Sequence, residues 1–554
     1  AISEHELMQR AKFLKPALLG KLRLACATEH GEALLDLTKA EVADKGWLDG
    51  PLSVGDVDRE FGNSWLPVRR FPIWQKQKLR AIDDFSESQL NSAFTYTEKV
   101  TLQAVDHVVW GSLTLMRCCA GHGEADFTLS TGERLRAPVH EGWKRPDRSF
   151  VITALDLRSA YKQLALSPKE YDKTVVSLYD PTVKDVVCFL MRTLPFGASA
   201  SVLHFLRVST FLHAVGCALA LCWGNYFDDY PLVSHDASKS SCLGAAKAMM
   251  NVFGFSFAEE KLSDFSDSVE ALGVLIDAGS SNTEVSISNK PSRVQELLPL
   301  VQKMASDGKV RPCDLPQSLG KLQYADAQVW GRAGRLALAD MRMLGHTSRS
   351  LVTLGDRQKA AVQLLAQRLA FNKPRKFSAG PFARPHLIYT DGALEYDSEG
   401  RPKATIGGVY IPPDGKPEVF GTCVPDEVLK MWQVDGKVHV IGLVELYACV
   451  VALLHWQKNI AGSKTIIFID NWSAIDVLIK GSANLPEWRD LLFLLEDPRE
   501  CAPTCVWAAR VASKSNVADG PSRGSTDGLS CLGEYVVTHP RCPFSQAMLP
   551  GLLC

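Results

Sequence analysis

At 554 residues the chain is too long for one ordinary domain and calls for roughly three or four compact units. Hydrophobic residues at 46% and charged residues at 22% exclude a disordered, collagen-like or coiled-coil protein. A formal net charge of −1 leaves any basic surface to local clusters. No run approaches the roughly 18–20 uninterrupted apolar residues of a membrane span, and the apolar stretch 443–456 is short and holds Glu445, so no membrane partner is expected. The first residues show no basic region followed by an apolar one, so no secretory signal is expected. The chain does not open on Met, as expected of a piece of a longer polypeptide. Fifteen cysteines scattered without regular spacing read as reduced thiols inside a cell, in cytoplasm or nucleus.

Apolar residues at helical spacing in 14–24 and 33–42 predict a helical N-terminal extension over residues 1–60. A basic strip follows, with Arg69, Arg70, Lys76, Lys78 and Arg80 and no acid until Asp83. By itself it reads as a solvated loop. Residues 111–149, rich in Gly, Arg, His and Pro, read as an inserted surface segment. Cys118, Cys119 and His122 within it lack a fourth ligand at suitable spacing, so no zinc site is expected there.

From residue 150 the chain turns β-rich. Ser149–Leu157 and Val175–Leu190 predict buried strands around turns, Ser201–Leu221 a helix, and Cys222–Val233 two short strands meeting at a polar tip. Residues 289–345 are helical and locally basic, with nine Lys/Arg against five Asp/Glu, and Asp356–Phe371 is a further helix. Asn372–Pro385 is dense in Pro, Gly and basic residues and is the best linker in the chain. A second α/β unit follows: strand His386–Thr390, more strands to about Thr422, helix Gly442–Trp456 and strand Thr465–Ile469.

Two sets of carboxylates carry the chemistry. In the first, a β-propensity run ends at Asp156, with Tyr161 five residues on, and Tyr226-Phe-Asp228-Asp229 puts two adjacent acids at a strand–turn–strand tip. An Asp-Asp pair alone suits any turn. Three acids on neighbouring strands make an oxygen-lined site for two Mg²⁺, which prefers carboxylates, waters and phosphates. Leu194-Pro-Phe196-Gly197 lies between the two acidic segments, where a glycine lets backbone approach a base pair closely. Lys261 and Gly273 follow, and Arg80 to Phe85 close the basic strip upstream.

In this order the motifs resemble those of a reverse transcriptase, over roughly residues 60–345. The resemblance implies that Asp156, Asp228 and Asp229 are metal ligands, Arg80 a triphosphate contact and Tyr161 an aromatic gate against a ribose 2′-hydroxyl. Phe196, Gly197 and Lys261 are implied as further substrate-binding residues. Pro231 departs from the pattern: it lacks an N–H, so interrupted pairing is expected just after the tip.

In the second set, strand His386–Thr390 ends at Asp391 and a Gly turn. Glu445 sits inside an apolar helix, where a carboxylate is costly unless it is paired or metal-bound. A strand runs into Asp470, and Asn516-Val-Ala-Asp519 supplies a fourth acid. This order is similar to that of ribonuclease H over about residues 386–524. It implies that Asp391, Glu445, Asp470 and Asp519 bind metal. The His that many members carry before the last acid is absent. The form Ser515-Asn-Val-Ala-Asp-Gly-Pro-Ser-Arg523 looks like that of DIRS-like or gypsy-like retroelements.

The joint resemblance implies an α+β right-hand polymerase followed by an α/β ribonuclease H-like domain. Its segments would be an N-terminal extension (1–60), fingers and palm (61–288), thumb (289–345), connection and linker (346–385), the ribonuclease H-like domain (386–524) and a tail (525–554). The implied activity is RNA-directed DNA synthesis with removal of RNA from hybrids. It would use Mg²⁺ or Mn²⁺, an RNA template, a DNA primer, an RNA–DNA hybrid and deoxynucleoside triphosphates. The alternatives are an RNA-dependent RNA polymerase and an inactive RNA-binding scaffold.

Overall fold

The computed structural model describes residues 2–24, 30–75, 78–95, 98, 101–120, 124–128, 131–139, 149–331, 334–380, 384–396, 398–432, 440–496, 505–545 and 547–553. The fold is mixed α/β and divides into two compact units, Ala1–Leu272 with Ile276–Val285, and Gly273–Leu275 with Ser286–Cys554.

The first unit opens with helices Glu4–Leu24 and Gly31–Ala43, then strand Leu48–Ser53 and helix Val54–Phe61. The expected helical extension is therefore broken by a strand. Residues 48–53 pair antiparallel with Asp185–Met191, and that distant partner overrides the local helical pattern. They form the edge of a five-stranded sheet whose spatial order continues through Val175–Asp180, Pro67–Gln75 and Lys78–Asp84. Successive strand residues point to opposite faces. Val186, Cys188 and Leu190 accordingly meet Leu19 and Leu22 of the first helix, whereas Val187, Phe189 and Met191 meet Leu34 and Leu35 of the second.

The basic strip is a β-hairpin rather than a loop, with Pro67–Gln75 paired to Lys78–Asp84. Lys76 and His122 lie outside the described residues. The expected surface insertion is also revised. Helix Val105–Ala120 runs into it and buries Ser112, Leu113 and Met116, leaving a small exposed hairpin of Glu124–Thr128 and Arg134–Pro138.

A second sheet orders Phe150–Asp156, Asp229–His235 and Cys222–Trp223, with Asp229–His235 in the middle. Helices Ser199–Ala218 and Lys239–Val252 close its core through Phe205, Leu212, Ala246 and Met250 against Leu155, Tyr230 and Leu232. By length and composition, Ser199–Ala218 is apolar enough to cross a membrane; here Leu203, Phe205, Leu206 and Leu212 are buried against its own unit.

In the second unit, helices Pro291–Asp307, Leu315–Trp330, Arg335–Arg342 and Asp356–Phe371 bury a shared core of Leu297, Leu319, Leu338 and Leu365. The segment read as a linker contains strand Arg375–Ser378, and Asn372 bonds in both directions to the Asn289 backbone. A six-stranded sheet follows, ordered Cys505–Arg510, Lys464–Ile469, His386–Tyr396, Pro402–Ile411, Glu418–Cys423 and Val536–Val537. The first three strands are parallel and the next two antiparallel. Helix Ile441–His455 is buried almost all round at the centre of the core. The segment set apart as a tail completes this layer: Val536–Val537 joins the sheet edge, and Leu529, Leu549 and Leu553 are buried.

Candidate metal-binding carboxylate sites

Strands Phe150–Asp156 and Asp229–His235 stay in register from Asp229 opposite Asp156 to His235 opposite Phe150. Tyr226 and Asp229 exchange two main-chain hydrogen bonds at 3.0 Å, closing a two-residue turn with Phe227 at φ +55°. A non-glycine residue rarely holds that conformation unless its surroundings enforce it. Ser209 on helix Ser199–Ala218 donates to the Phe227 carbonyl at 2.5 Å, and Asn225 Nδ2 lies 2.5 Å from Ser209 Oγ. The Tyr230 hydroxyl donates to the Ser209 carbonyl at 3.1 Å, and the Asn225 N–H to Gln103 Oε1 at 2.8 Å. This buried network holds the tip and its two acids. Ser209 and Gln103 lie outside every motif, so the sequence carried no signal for them.

Pro231 does not interrupt the pairing. Its carbonyl accepts from Gly224 at 2.9 Å, so its missing N–H faces the short strand Cys222–Trp223 at the point where that strand ends. The ladder to Phe150–Asp156 is unaffected.

Asp156, Asp228 and Asp229 therefore meet at one end of the strand pair. Burial first, then Asp228 and Asp156, pushes the Asp229 carboxyl up to about 7. Burial, with Asp156, also raises Asp228. Lys261 Nζ lies 2.5 Å from Asp156 Oδ1, supplying the cluster with one positive charge.

Tyr161 lies in a short 3₁₀ turn, Ala160–Gln163, half-buried. Its ring stacks on Phe205 at 4.6 Å and meets the exposed Phe196 edge-on at 5.3 Å. Gly197 has φ +110°, and a Cβ there would stand 2.3 Å from the Asp83 carbonyl oxygen. The absence of a Cβ lets the backbone at Gly197 pack against that carbonyl. Arg80 is exposed on Lys78–Asp84, opposite Ile73, and makes no hydrogen bond or ion pair among the described residues.

In the second set, Asp391 is not at a strand end and Gly392 is not in a turn, because strand His386–Tyr396 runs through both. Gly392 instead admits the neighbouring helix: a Cβ there would stand 2.9 Å from the Glu445 backbone nitrogen. Glu445 thus reaches Asp391 from helix Ile441–His455, and Asp470 follows the parallel strand Lys464–Ile469. Among the described residues these three form the one acidic trio whose ligand oxygens all lie within 4.8 Å of one another. Burial and then Asp391 and Asp470 push Glu445 up to about 9, and burial pushes Asp391 up to about 6. Glu445 Oε2 and Asp470 Oδ1 are buried without a hydrogen-bond partner. Converging acids with orphaned oxygens fit a hard divalent cation such as Mg²⁺ or Mn²⁺.

Asp519 stands apart from the trio. It opens the short helix Asp519–Ser522, is half-exposed, and meets Arg523 Nε at 3.2 Å. Ser522, on the same turn, places its Oγ 2.5 Å from Asp391 Oδ2, and Asn516 donates to the Thr390 carbonyl at 2.9 Å. Both lie inside the motif that carries Asp519, where a serine and an asparagine give no sign of the buried partners that the fold brings beside them.

No family model matches the chain, and no curated protein matches it in sequence. Among solved structures it is similar to the foamy viral protease-reverse transcriptase dRH in complex with double-stranded DNA, at 13% identity and a TM-score of 0.46, covering 87% of this chain and 70% of that one.

Proposed function

We propose that the chain is an RNA-directed DNA polymerase of a retroelement, DIRS-like or gypsy-like, that also degrades the RNA strand of RNA–DNA hybrids. The observation that carries this reading is Asp156 opposite Asp229 on one antiparallel pair, with Asp228 on its tip. In this reading residues 61–288 form fingers and palm, 289–345 the thumb, 346–385 the connection and 386–524 the ribonuclease H-like domain.

Asp156, Asp228 and Asp229 would hold two Mg²⁺. Such ions, when bound, supply activation of a primer 3′-hydroxyl and stabilisation of the leaving pyrophosphate. Lys261 balances Asp156 and keeps three carboxylates from facing one another uncompensated. Arg80, exposed on its strand, is free to bind the triphosphate of a deoxynucleotide as a bidentate donor. Tyr161, wedged between Phe196 and Phe205, presents a ring to the sugar. Phe196 and Gly197, beside that ring, would contact the same nucleotide. In the second unit Asp391, Glu445 and Asp470, with Asp519 at the rim, would hold the ions that serve cleavage of the RNA strand.

The test is extension of a DNA primer on an RNA template by the full chain with Mg²⁺, supplying deoxynucleotides or ribonucleotides separately. Extension with deoxynucleotides, lost on chelation, is expected. Preference for ribonucleotides would make it an RNA polymerase. A folded protein with no extension would make it a scaffold.

A further inference from the structure

A group of four charges, with Arg70 and Asp83 buried and Glu41 and Lys162 half-buried, adjoins Gly197 and Tyr161, and one of its two carboxylates comes from the second helix, Gly31–Ala43, to which no chemistry attaches in the sequence. Arg70, on strand Pro67–Gln75, has a side chain only 1% exposed. Its Nε and Nη2 donate to the two oxygens of Asp83 at 2.7 and 3.1 Å. Its Nη1 donates to Glu41 Oε2 at 2.7 Å and reaches Thr38 Oγ1 at 3.3 Å, both on helix Gly31–Ala43. Lys162 lies within electrostatic reach of Asp83 and Glu41, with Nζ 3.1 Å from Met191 Sδ. Burial pulls the Lys162 ammonium down and those two carboxylates pull it back up.

Two cations and two carboxylates make a neutral set. Asp83 alone would leave one buried cation uncompensated, a costly state. Glu41 supplies the missing charge.

The set touches the proposed nucleotide-binding residues at two points. The Asp83 carbonyl is the atom against which Gly197 packs, and Asn91 locks the same junction, donating to the Gly197 carbonyl at 3.1 Å and accepting from the Ser199 N–H at 2.8 Å. Lys162 immediately follows Tyr161, whose ring meets Phe196. Movement of Arg70–Asp83 would shift Gly197, and movement of Lys162 would shift the Tyr161 ring.

We propose that Glu41, assisted by Thr38, is a positioning residue for the nucleotide pocket, holding Arg70 and Asp83 against Gly197 and thereby setting sugar selection. This rests on the polymerase reading above. It gives helix Gly31–Ala43 a part in the reaction beyond covering the sheet.

The test uses the full chain, with primer extension measured for KM of the deoxynucleotide, kcat, KM of the primer–template and the ratio of deoxynucleotide to ribonucleotide use. Glu41→Gln should raise the deoxynucleotide KM about tenfold and lower the sugar ratio, since it weakens the charge-assisted bond that holds Arg70 and Asp83 against Gly197. The kcat at saturation and the primer–template KM should stay within about twofold, as uniform loss of nucleotide binding requires. Glu41→Asp, which keeps the charge, should recover most of the loss. A folded Glu41→Gln protein with unchanged nucleotide KM and sugar ratio would overturn the proposal and leave the four charges a purely structural set. If Glu41→Gln does not fold, Thr38→Val removes the 3.3 Å contact without changing charge, and should raise the nucleotide KM about two- to threefold, the loss of one modest hydrogen bond. An unchanged KM in that variant would equally overturn it. A wild-type chain that extends no primer would instead refute the polymerase reading on which the proposal stands.

Discussion

Asp229 faces Asp156 across the strand pair, and the Asp229 carboxyl is pushed up to about 7 by burial, then by Asp228 and Asp156. Three acids are held together here at a cost in repulsion. Among the described residues, Lys261 offsets it, with Nζ 2.5 Å from Asp156 Oδ1.

Asp228→Asn removes one charge from that end while keeping shape and the turn. Primer extension should fall by roughly 10²–10³-fold or more, the scale on which loss of charge stabilisation acts. The melting temperature should equal or exceed that of the wild type, because Asp228 is itself raised by burial and by Asp156. Substantial Mg²⁺-dependent extension by the folded variant would remove Asp228 from the catalytic role.

The two acidic sets share no residue, so their activities should separate. Asp470→Asn takes one oxygen from the trio and should abolish cleavage of RNA in a hybrid. Extension should stay within about twofold of wild type, as for independent sites. Collapse of both activities in a folded variant would sink the two-site arrangement.

Tyr161 is both a packed aromatic and a candidate gate, since it stacks on Phe205 and meets the exposed Phe196. Tyr161→Val should cost stability on the order of 3 kcal/mol, the lower range for large buried aromatics. It should also raise ribonucleotide use relative to deoxynucleotide use in the active variant. An unchanged ratio would assign the ring to packing alone.

Glu496 lies near Arg368 and Asp326 in the second unit, and burial pushes its carboxyl up to about 7 despite Arg368. A folded-state value above the unfolded one means the folded form holds the proton more tightly. Its stabilising contribution is therefore complete below about pH 4.5 and lost as pH rises through about 7. Glu496→Gln should leave stability near pH 4.5 almost unchanged and raise it at pH 8 by about 2 kcal/mol, since each tenfold change in proton affinity is worth about 1.4 kcal/mol and solvent screens part of it. Urea unfolding of both proteins at the two pH values measures this. Equal stabilities at pH 8 would refute it.

Residue order alone named the acids at the ends of apolar strands, the apolar helix carrying Glu445, and helix Asp356–Phe371. Those signals are local: an apolar run of strand or helix length, an acid where such a run stops or is interrupted, and Pro or Gly between. They identified which residues could do chemistry and in what order. They could not show that strand His386–Tyr396 continues through Asp391, because that depends on pairing with Pro402–Ile411 on one side and Lys464–Ile469 on the other.

Tertiary structure decided what holds the acids in place. Ser209 beneath the Phe227 carbonyl and Ser522 beside Asp391 are ordinary serines in the sequence, and only burial next to a polar group gives each its task. Arg70 read as part of a solvated basic strip, yet its guanidinium is closed off by Asp83 thirteen residues away and Glu41 twenty-nine away. Charge in the interior must be balanced by whatever the fold brings beside it, and that partner is chosen by topology rather than by spacing along the chain.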